Sequence, residues 1–423
     1  MKAEVRQRIE QIRQGKVPAG YQKTKHGIFP KEWEIGPVGD LIQEYKSFSN
    51  DIESMPVYSS SRNGLIRQAE YYDRKESQKT NLGYKVVPPE YVTYRHMSDD
   101  DIFHFNINTT GESILVSAEY PVFRSNGHSD LNFLIPLLNN SPQFRYFCRT
   151  QKLGGTRTRL YFRVLETYEI VAPCLEEQQE IAKILMTQDR VIALREKLLA
   201  EKLRQKQYLM QVLLTGKKRL PGFNGRWSHI KIGDSRYTKI NYDSLSNKTE
   251  ENFQFKYITL ENVDNGKLKQ TIHCTYKNAP SRARRVVHKE DILYGLVRPN
   301  LHSHLLANEM MEGMVCSTGF CVIRCNTTLL LPYFLFSVIM SEMIDRQANQ
   351  IMTGSNYPAV SSVDVENMEI DIPCDIKEQQ AVIAILSNAD QEIDLLRQAL
   401  EQERQKKKAL MQLLLSGIVR VKP

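Results

Sequence analysis

The feature that most constrains this chain is a segment of about 40 residues that occurs twice. The first copy runs from Glu177 to Gly216, and the second repeats its order and spacing from Glu378 to Gly417, at a constant offset of 201 residues. Between its opening Glu-Gln-Gln and its closing Gly, neither copy contains Pro or an internal Gly, while Leu, Ala, Lys, Gln, Glu and Arg abound. Such residues are strong helix formers, and Gly is typical just past a helix C-terminus. The sequence therefore predicts a tandem duplication in which each half ends in one long helix.

Each copy carries apolar residues at heptad spacing along one row. The row contains Leu185, Ile192 and Leu199 in the first copy and Leu386, Ile393 and Leu400 in the second. This spacing favours a coiled-coil seam. The second row of the seam is interrupted by polar residues and contains Gln188, Arg195 and Lys202 in the first copy and Ala389, Leu396 and Glu403 in the second.

Two explanations fit such segments. Each helix would be roughly 55–60 Å long at about 1.5 Å per residue, and the two helices would pair as a rigid spacer whose polar flanks remain free for partner subunits. Alternatively, they are core helices of two unrelated domains, which is disfavoured because helices average only about 11–12 residues.

The duplication continues outside the helices and marks the frame of two similar domains. The only two tryptophans, Trp33 and Trp227, occupy matching positions, and we predict that each is a core anchor at the start of its domain. Further on, Tyr94 and Tyr294 match at an offset of 200 residues. Short apolar runs punctuated by Gly, Pro, Asn and Asp predict β-rich domains with a few helices. Elsewhere the two copies share little identity, so two similar scaffolds are expected to present different surfaces.

The predicted fold is α+β: two β-rich domains separated by two long antiparallel helices that form a coiled-coil spacer, with pseudo-twofold repetition from the tandem duplication. At 423 residues, 41% of them hydrophobic, the chain is long enough for such cores. The predicted boundaries are an N-terminal helix at 1–20, a first domain at 21–175, a central spacer helix at 176–216, a second domain at 217–375 and a C-terminal spacer helix at 376–423.

Composition narrows the compartment and the class of partner. The formal net charge of +8 and the pI near 8.9 are compatible with a polyanionic partner. Seven cysteines with no CxxC pair, together with the absence of a signal peptide, predict a cytoplasmic protein. The longest apolar run is interrupted by Pro332 and is too short to span a bilayer, so no membrane association is expected.

Catalytic and metal-binding patterns are weak in this sequence. It lacks G-x-G-x-x-G, G-x-x-x-x-G-K-[ST] and N-P-P-[YF], so nucleotide, phosphate-loop and amino-methyltransferase signatures are missing. The nearest zinc candidates are Cys316, Cys321 and Cys325, but their spacing fits no standard structural site. Glu196-Lys197 is better explained as a solvated helix face than as a nuclease centre. We therefore predict a non-catalytic chain without a metal or cofactor of its own.

Basic and amide-bearing residues in the segments that differ between the copies are the remaining signal. Arg and Asn pair bidentately with guanine and adenine edges, and Ser serves phosphates, so these residue types point to DNA. A surface Arg is usually solvated and idle, and only the position of these residues in the divergent segments favours the functional interpretation. The candidate DNA-binding residues are Ser60, Arg62, Asn63, Tyr94, Arg95, Arg124, Arg157 and Arg159 in the first domain and Arg284, Arg285, Arg298, Asn300, His302 and Asn356 in the second.

Taken together, the motifs resemble the specificity (S) subunit of type I restriction-modification systems over nearly the whole chain. The residues that carry the resemblance are Pro173-Cys174, Glu177-Gln178-Gln179, Ile184-Leu185, Asp189 and Ile192, their repeat from Pro373 to Ile393, Leu213 to Gly216 with Arg219 to Phe223, the Gly154-Gly155-Thr156 turn, and Gly27 to Pro30 with Trp33.

The resemblance implies that the two domains are target-recognition domains, each of which reads one half of an asymmetric bipartite site in double-stranded DNA. The helices would fix the gap between the half-sites. Two methyltransferase (M) subunits would dock on the chain, and restriction (R) subunits would join them; S-adenosylmethionine, ATP and Mg would belong to those partners. The candidate partner-binding residues are Glu177, Gln178, Gln179, Glu378, Gln379 and Gln380.

Two other functions remain as alternatives. A coiled-coil structural adaptor would show no sequence-dependent DNA binding. A self-sufficient methyltransferase or nuclease is disfavoured by the missing motifs.

Overall fold

The computed structural model describes residues 3–68, 83–152, 156–354 and 358–421. The described part of the chain divides into two compact units, Met1–Arg195 with Leu400–Pro423 and Glu196–Ala399. Both units combine antiparallel strands with short helices and with a part of each long helix. The predicted α+β class, with its two β-rich domains and two long helices, is therefore confirmed. The boundaries of 21–175 and 217–375 for the two domains stay a prediction.

The helices and strands follow the duplication. The helices are α1 (Ala3–Arg13), α2 (Leu131–Asn140), α3 (Pro142–Thr150), α4 (Phe162–Leu165), α5 (Leu175–Leu213), α6 (Pro332–Ile339), α7 (Glu342–Ile351), α8 (Ser362–Asn367) and α9 (Ile376–Leu414). The strands of the first unit are β1 (Tyr21–Thr24), β2 (Gly27–Pro30), β3 (Glu34–Pro37), β4 (Ile42–Glu44), β5 (Phe48–Ser49), β6 (Tyr58–Ser61), β7 (Gly64–Arg67), β8 (Tyr84–Val87), β9 (Val92–Tyr94), β10 (Met97–Ser98), β11 (Phe105–Ile107), β12 (Ile114–Val116), β13 (Val122–Ser125), β14 (Thr158–Arg159) and β15 (Glu169–Ala172). The strands of the second unit are β16 (Trp227–Lys231), β17 (Thr238–Ile240), β18 (Gln254–Ile258), β19 (Val263–Asp264), β20 (Lys267–Leu268), β21 (Ile272–Thr275), β22 (Ala283–Val287), β23 (Ile292–Gly295), β24 (Leu305–Leu306), β25 (Met314–Ser317), β26 (Phe320–Cys325) and β27 (Glu369–Pro373).

The core of the first unit lies between a four-stranded antiparallel sheet, of order β11-β9-β13-β4, and the helices that cover it. Aromatic side chains of neighbouring strands meet there, with the ring centroids of Tyr94 and Phe105 4.6 Å apart. The side chain of Asn139 on α2 exchanges two hydrogen bonds with the Phe105 backbone, at 2.9 and 3.0 Å. This bonding joins the helix to the edge strand and satisfies polar groups that burial would otherwise penalise. Trp33 is 2% exposed, so its predicted role as a core anchor is confirmed.

The second unit contains two four-stranded sheets, of order β17-β26-β23-β24 and β21-β18-β25-β22. The pairing of β18 with β25 is parallel, whereas the other pairings of these two sheets are antiparallel. Tyr294 on β23 is fully buried, like its counterpart Tyr94. Trp227 is half-buried, and its ring lies 5.6 Å from the guanidinium of Arg219. The two matched tryptophans therefore differ in how far their domains enclose them.

The long helices α5 and α9 have 39 residues each, and within each unit their segments run antiparallel. In the first unit, Lys407 of α9 pairs with Asp189 of α5 at 2.5 Å. In the second unit, Lys206 of α5 pairs with Asp390 of α9 at the same distance. These are the same two positions of the repeat, used once in each direction, so the duplicated sequence produces the same ion pair twice.

The polar residues in the second heptad row form hydrogen bonds and ion pairs between the two long helices. Gln188 donates to Glu403 Oε2 at 2.8 Å, and Arg195 reaches the other oxygen of that carboxylate at 3.1 Å. Lys202 meets Glu392 at 2.8 Å. The row is therefore polar because it forms cross-helix hydrogen bonds and ion pairs. Within the described residues, no helix has the length and apolar composition needed to cross a membrane.

Candidate nucleic-acid interface

The first two residues of each Glu-Gln-Gln motif, near the start of a long helix, are buried inside their unit. In the first unit, Glu177 is 1% exposed and accepts two hydrogen bonds of 2.7 Å from Arg420 and one of 3.3 Å from the Trp33 indole N–H. In the second unit, Glu378 is also 1% exposed and accepts bonds of 2.6 and 2.7 Å from Arg219. Each buried carboxylate is thus neutralised by the arginine that follows the opposite long helix.

The first glutamine of each Glu-Gln-Gln motif links the start of the long helix to its domain by hydrogen bonds. Gln178 accepts from the backbone N–H of Asp130 at 3.1 Å and donates to the carbonyl of Pro173 at 3.0 Å. Gln379 makes the corresponding bonds to Leu331 and Pro373, both at 2.9 Å.

Burial therefore corrects the prediction of partner binding for Glu177, Gln178, Glu378 and Gln379, because side chains enclosed by their own unit present no surface to another subunit. Gln179 and Gln380 are exposed, and for them partner binding stays a prediction.

One edge of each domain carries at least half of the predicted DNA-binding residues of that domain, and the duplication builds it in the same way twice. In the first unit, Leu160 N–H donates to the carbonyl of His96 at 2.8 Å. In the second unit, Val360 N–H donates to the carbonyl of Leu296 at 3.0 Å, an equivalent pair at the offset of 200. We call residues 95–101 the first edge loop and residues 296–302 the second edge loop. The two loops occupy the same position in their domains but share almost no side-chain chemistry.

The first edge loop gathers arginines around carboxylates. Arg157 donates to Asp99 at 2.8 Å, and Arg62, from the turn between β6 and β7, pairs with Asp100. Arg95 is exposed on the loop itself, and Arg159 is exposed on β14, opposite Met97. Asn63 is exposed beside Arg62 at the same turn. The predicted residues Arg62, Asn63, Arg95, Arg157 and Arg159 therefore lie at or beside one loop, together with two carboxylates that the sequence did not single out.

Three other predicted residues of the first unit lie elsewhere. Tyr94 is fully buried, and its hydroxyl donates to the Leu160 carbonyl at 3.0 Å. Ser60 is 5% exposed and accepts from Asn106 at 2.7 Å. The prediction of DNA contact is wrong for these two residues, because the hydrophobic core and the buried amide enclose them. Arg124 is exposed on β13 and donates to Gln43 at 3.1 Å, away from the first edge loop.

The second edge loop carries Arg298, Asn300 and His302. Arg298 and Asn300 are exposed, and the backbone N–H of Arg298 donates to the Pro358 carbonyl at 2.8 Å. His302 lies 3.0 Å from both carboxylate oxygens of Asp345 on α7. The hydrogen bond to this carboxylate raises the pKa of His302 above its ordinary value, so the imidazole takes up its proton at a higher pH than an unperturbed histidine.

The remaining predicted residues of the second unit are half-buried or lie outside the described part of the chain. Arg284 and Arg285 lie half-buried on β22, and the Arg284 guanidinium stacks 5.1 Å from the Tyr276 ring centroid. The Nε of Arg285 is buried and has no hydrogen-bond partner in the part of the chain that the structure describes. Asn356 lies outside the described residues.

The zinc candidates of the sequence are core residues. Cys316, Cys321 and Cys325 are buried on β25 and β26, and burial raises the pKa of the Cys321 and Cys325 thiols to about 12. His304 is 1% exposed and stacks on Tyr294, with ring centroids 4.2 Å apart. Over residues 3–68, 83–152, 156–354 and 358–421, no group of three His, Cys, Asp or Glu side chains is arranged to hold a metal ion.

Sequence reasoning missed Asp99, Asp100, Asp345 and Leu301, which lie on or against the edge loops. The offset of 200 residues between Tyr94 and Tyr294 was the one signal that could have found the loop residues, because it matches positions 99–101 with positions 299–301. The side chains that contact the two loops in space cannot be read from the sequence.

Comparison with known proteins agrees with this architecture. The type I restriction modification DNA specificity domain matches the chain twice, at residues 30–203 and 224–403. A putative type I restriction enzyme MjaX specificity subunit from Methanocaldococcus jannaschii is 24% identical over 432 residues, which cover 95% of this chain and 97% of that protein. The MjaVIII specificity subunit of the same organism is 24% identical over 437 residues, 95% of this chain and 96% of its own.

A solved type I restriction-modification S subunit from M. genitalium has a TM-score of 0.54 and 12% identity, and the likeness covers 90% of this chain and 96% of that one. At this level of identity the likeness shows the fold alone. The two family matches together cover most of the sequence, with one match for each copy of the duplication. The chain therefore belongs to the family of type I restriction-modification DNA specificity proteins.

Proposed function

We propose that each domain reads one half of a bipartite double-stranded DNA site, with the edge loops as the base-reading elements. The observation that carries the proposal is the pair of equivalent loops, which share a backbone frame and differ in side chains. Arg62, Arg95, Arg157 and Arg159 serve the first loop, and Arg298 and Asn300 serve the second. Arginine and asparagine are the side chains suited to bidentate contacts with guanine and adenine.

In the free protein two of these arginines are paired with carboxylates of the first edge loop, Arg157 with Asp99 and Arg62 with Asp100. These pairs are exposed to solvent, where ion pairs contribute little to stability. DNA phosphates or guanine edges therefore compete with the carboxylates at small cost. The carboxylates also hold the guanidinium groups in place before DNA arrives, which reduces the entropy lost on binding.

The wider assembly is part of the same proposal. Two methyltransferase subunits dock on the long helices, with Gln179 and Gln380 among the docking residues, and restriction subunits join the complex in the cytoplasm. Those partners carry S-adenosylmethionine, ATP and Mg and perform the chemistry, while this chain performs none. Their contribution is to methylate an adenine that the reading domains have positioned, which requires the base to leave the helix stack.

The experiment is sequence selection from a random duplex DNA library by the full chain in complex with its methyltransferase subunit. We expect one gapped motif with two half-sites and an affinity that falls steeply with salt, since arginines neutralise phosphates. Arg95→Ala should weaken one half-site and Arg298→Ala the other, while both variants still assemble. Arg236→Ala is the matched control, because this exposed arginine pairs with its sequence neighbour Asp234 and belongs to neither edge loop. Selection of no motif, or of an unchanged motif by both loop variants, refutes the proposal.

A further inference from the structure

The second edge loop is closed at its base by an unusually tight backbone approach. The N–H of Gly295, at the end of β23, donates to Nδ1 of His304 at 3.0 Å. A Cβ at position 295 would lie 2.7 Å from the carbonyl oxygen of Ser303, so only glycine fits there. The acceptor, His304, is buried and stacked on Tyr294. The strand that enters the loop and the segment that leaves it are therefore locked against each other.

Above this base the loop is held in one conformation. Arg298 and His302 have φ angles of 48° and 52°, a left-handed region that non-glycine residues rarely adopt. Between them, Pro299 to Leu301 form a single 3₁₀ turn in which His302 N–H donates to the Pro299 carbonyl at 2.9 Å. His302 is tied to Asp345 on α7 at 3.0 Å. Such a constrained backbone persists only where its surroundings determine it, and it presents its outermost side chains without further ordering cost.

The side chain at the tip of this turn is apolar. Leu301 is 57% exposed. Its neighbours in the chain are polar, namely the exposed Asn300 and His302, which is paired with Asp345. A lone exposed leucine is ordinary on a protein surface. At the tip of a loop that reads bases, however, it takes a position that a polar side chain would use for hydrogen bonding. Neither phosphates nor the hydrogen-bonding groups of base edges interact favourably with it. The apolar group that the major groove offers is the C5 methyl of thymine.

We propose that Leu301 is a specificity-determining residue that packs on a thymine methyl group in one half-site, and that His302 and Asp345 are the residues that position it. The inference rests on the proposed function, because it assigns a base to the second edge loop. At the position that corresponds to Leu301 the first edge loop has Asp101, so the same contact is not expected in the other half-site.

The test uses the full chain with its methyltransferase subunit and duplexes that carry the selected site. Each thymine of the site is replaced singly by deoxyuridine, which removes the methyl group and leaves base pairing intact. For the unmodified chain, we expect about fourfold weaker binding at one position of the half-site that Arg298→Ala affects, which is the effect of one buried methyl group.

Leu301→Ala should bind the thymine and uracil duplexes equally at that position and keep its preferences elsewhere. The matched control is Met310→Ala, which removes an 84% exposed apolar side chain of the same unit outside the loop, and it should retain the fourfold ratio. Asp345→Asn should lower the ratio towards one without changing the preferences of the other half-site, an outcome that general destabilisation of the fold does not produce.

The outcomes separate the two proposals. If a gapped motif is selected but no thymine is sensitive to uracil, or if Leu301→Ala keeps the wild-type ratio, the role of Leu301 is refuted and the reading function stands. If Leu301→Ala prevents assembly with the methyltransferase, the leucine contacts protein and the inference is refuted. If no motif is selected at all, both proposals are overturned.

Discussion

Removal of Arg420 tests whether the buried carboxylate of Glu177 holds the first unit together. Glu177 is 1% exposed, and Arg420 supplies its cation and two hydrogen bonds of 2.7 Å. Breaking a buried ion pair at one partner costs about 3–5 kcal/mol, because a charge remains buried without compensation. The Arg420 side chain is itself 33% exposed, so water can enter the vacated space and relieve part of this penalty. We therefore expect Arg420→Ala to lower the free energy of unfolding of the first unit by roughly 2–3 kcal/mol.

The assay is urea unfolding followed by tryptophan fluorescence in a Trp227→Phe background. Trp33 is then the only tryptophan, and its indole N–H bonds to Glu177, so the signal reports on the first unit. Separate reporters are needed because a chain of two units does not have to unfold in one transition.

A matched control comes from the second carboxylate that Arg420 contacts. Glu32 lies 2.8 Å from Arg420 but is 66% exposed, so its removal should change stability little. Arg219→Ala, read by Trp227 in a Trp33→Phe background, should reproduce the large loss in the second unit, since Glu378 is buried in the same way. Equal effects of Arg420→Ala and Glu32→Ala would refute the argument from burial.

Three further predictions follow from buried or repeated contacts. Burial lowers the pKa of His304 to about 3, so between pH 6.5 and 3 the unfolded state binds a proton that the folded state does not. The free energy of unfolding of the second unit should therefore fall as the pH is lowered, by up to about 1.4 kcal/mol per pH unit more steeply than in the His304→Phe variant. Equal slopes for the two proteins in urea titrations would contradict this. Tyr94→Phe removes a buried 3.0 Å hydrogen bond and should destabilise the first unit by about 1 kcal/mol. Tyr294→Phe should be neutral or stabilising, because the Tyr294 hydroxyl is buried with no hydrogen-bond partner in the described chain. A larger loss of stability for Tyr294→Phe than for Tyr94→Phe in thermal unfolding would refute this argument. Deletion of the heptad 196–202 should alter the spacing of the two selected half-sites or prevent assembly, and selection of the original gap would contradict the spacer function of the helices.

Much of the architecture was predictable because it depends on local and repeated patterns. The Pro-free segments from Glu177 and from Glu378 form helices since most of their residues are strong helix formers and the preference adds up over a long segment. The register of Tyr94 with Tyr294 predicted equivalent core positions, and both side chains are fully buried. The interpretation as a specificity protein depended on the order and spacing of these same motifs.

The candidate site was only partly predictable. Arg95 and Arg298 are exposed on the edge loops as the DNA-binding prediction requires, but Tyr94, one residue before Arg95, points into the core. Strand residues alternate between the two faces of a sheet, and which face meets the core depends on partner strands elsewhere in the chain. Leu301 was missed because nothing in its sequence neighbourhood distinguishes a solvent-exposed loop leucine from a buried one.

The sequence by itself determined the duplication, the two long helices, the β-rich character of the domains and the family. Tertiary structure decided which polar residues are structural and which face solvent. Glu177 and Gln179 stand in one motif and look alike in sequence, yet Glu177 is buried because Arg420, which is 243 residues away along the chain, neutralises it, while Gln179 remains exposed. The physical reason is that helix propensity acts over a few residues, whereas burial and charge compensation depend on residues that only folding brings together.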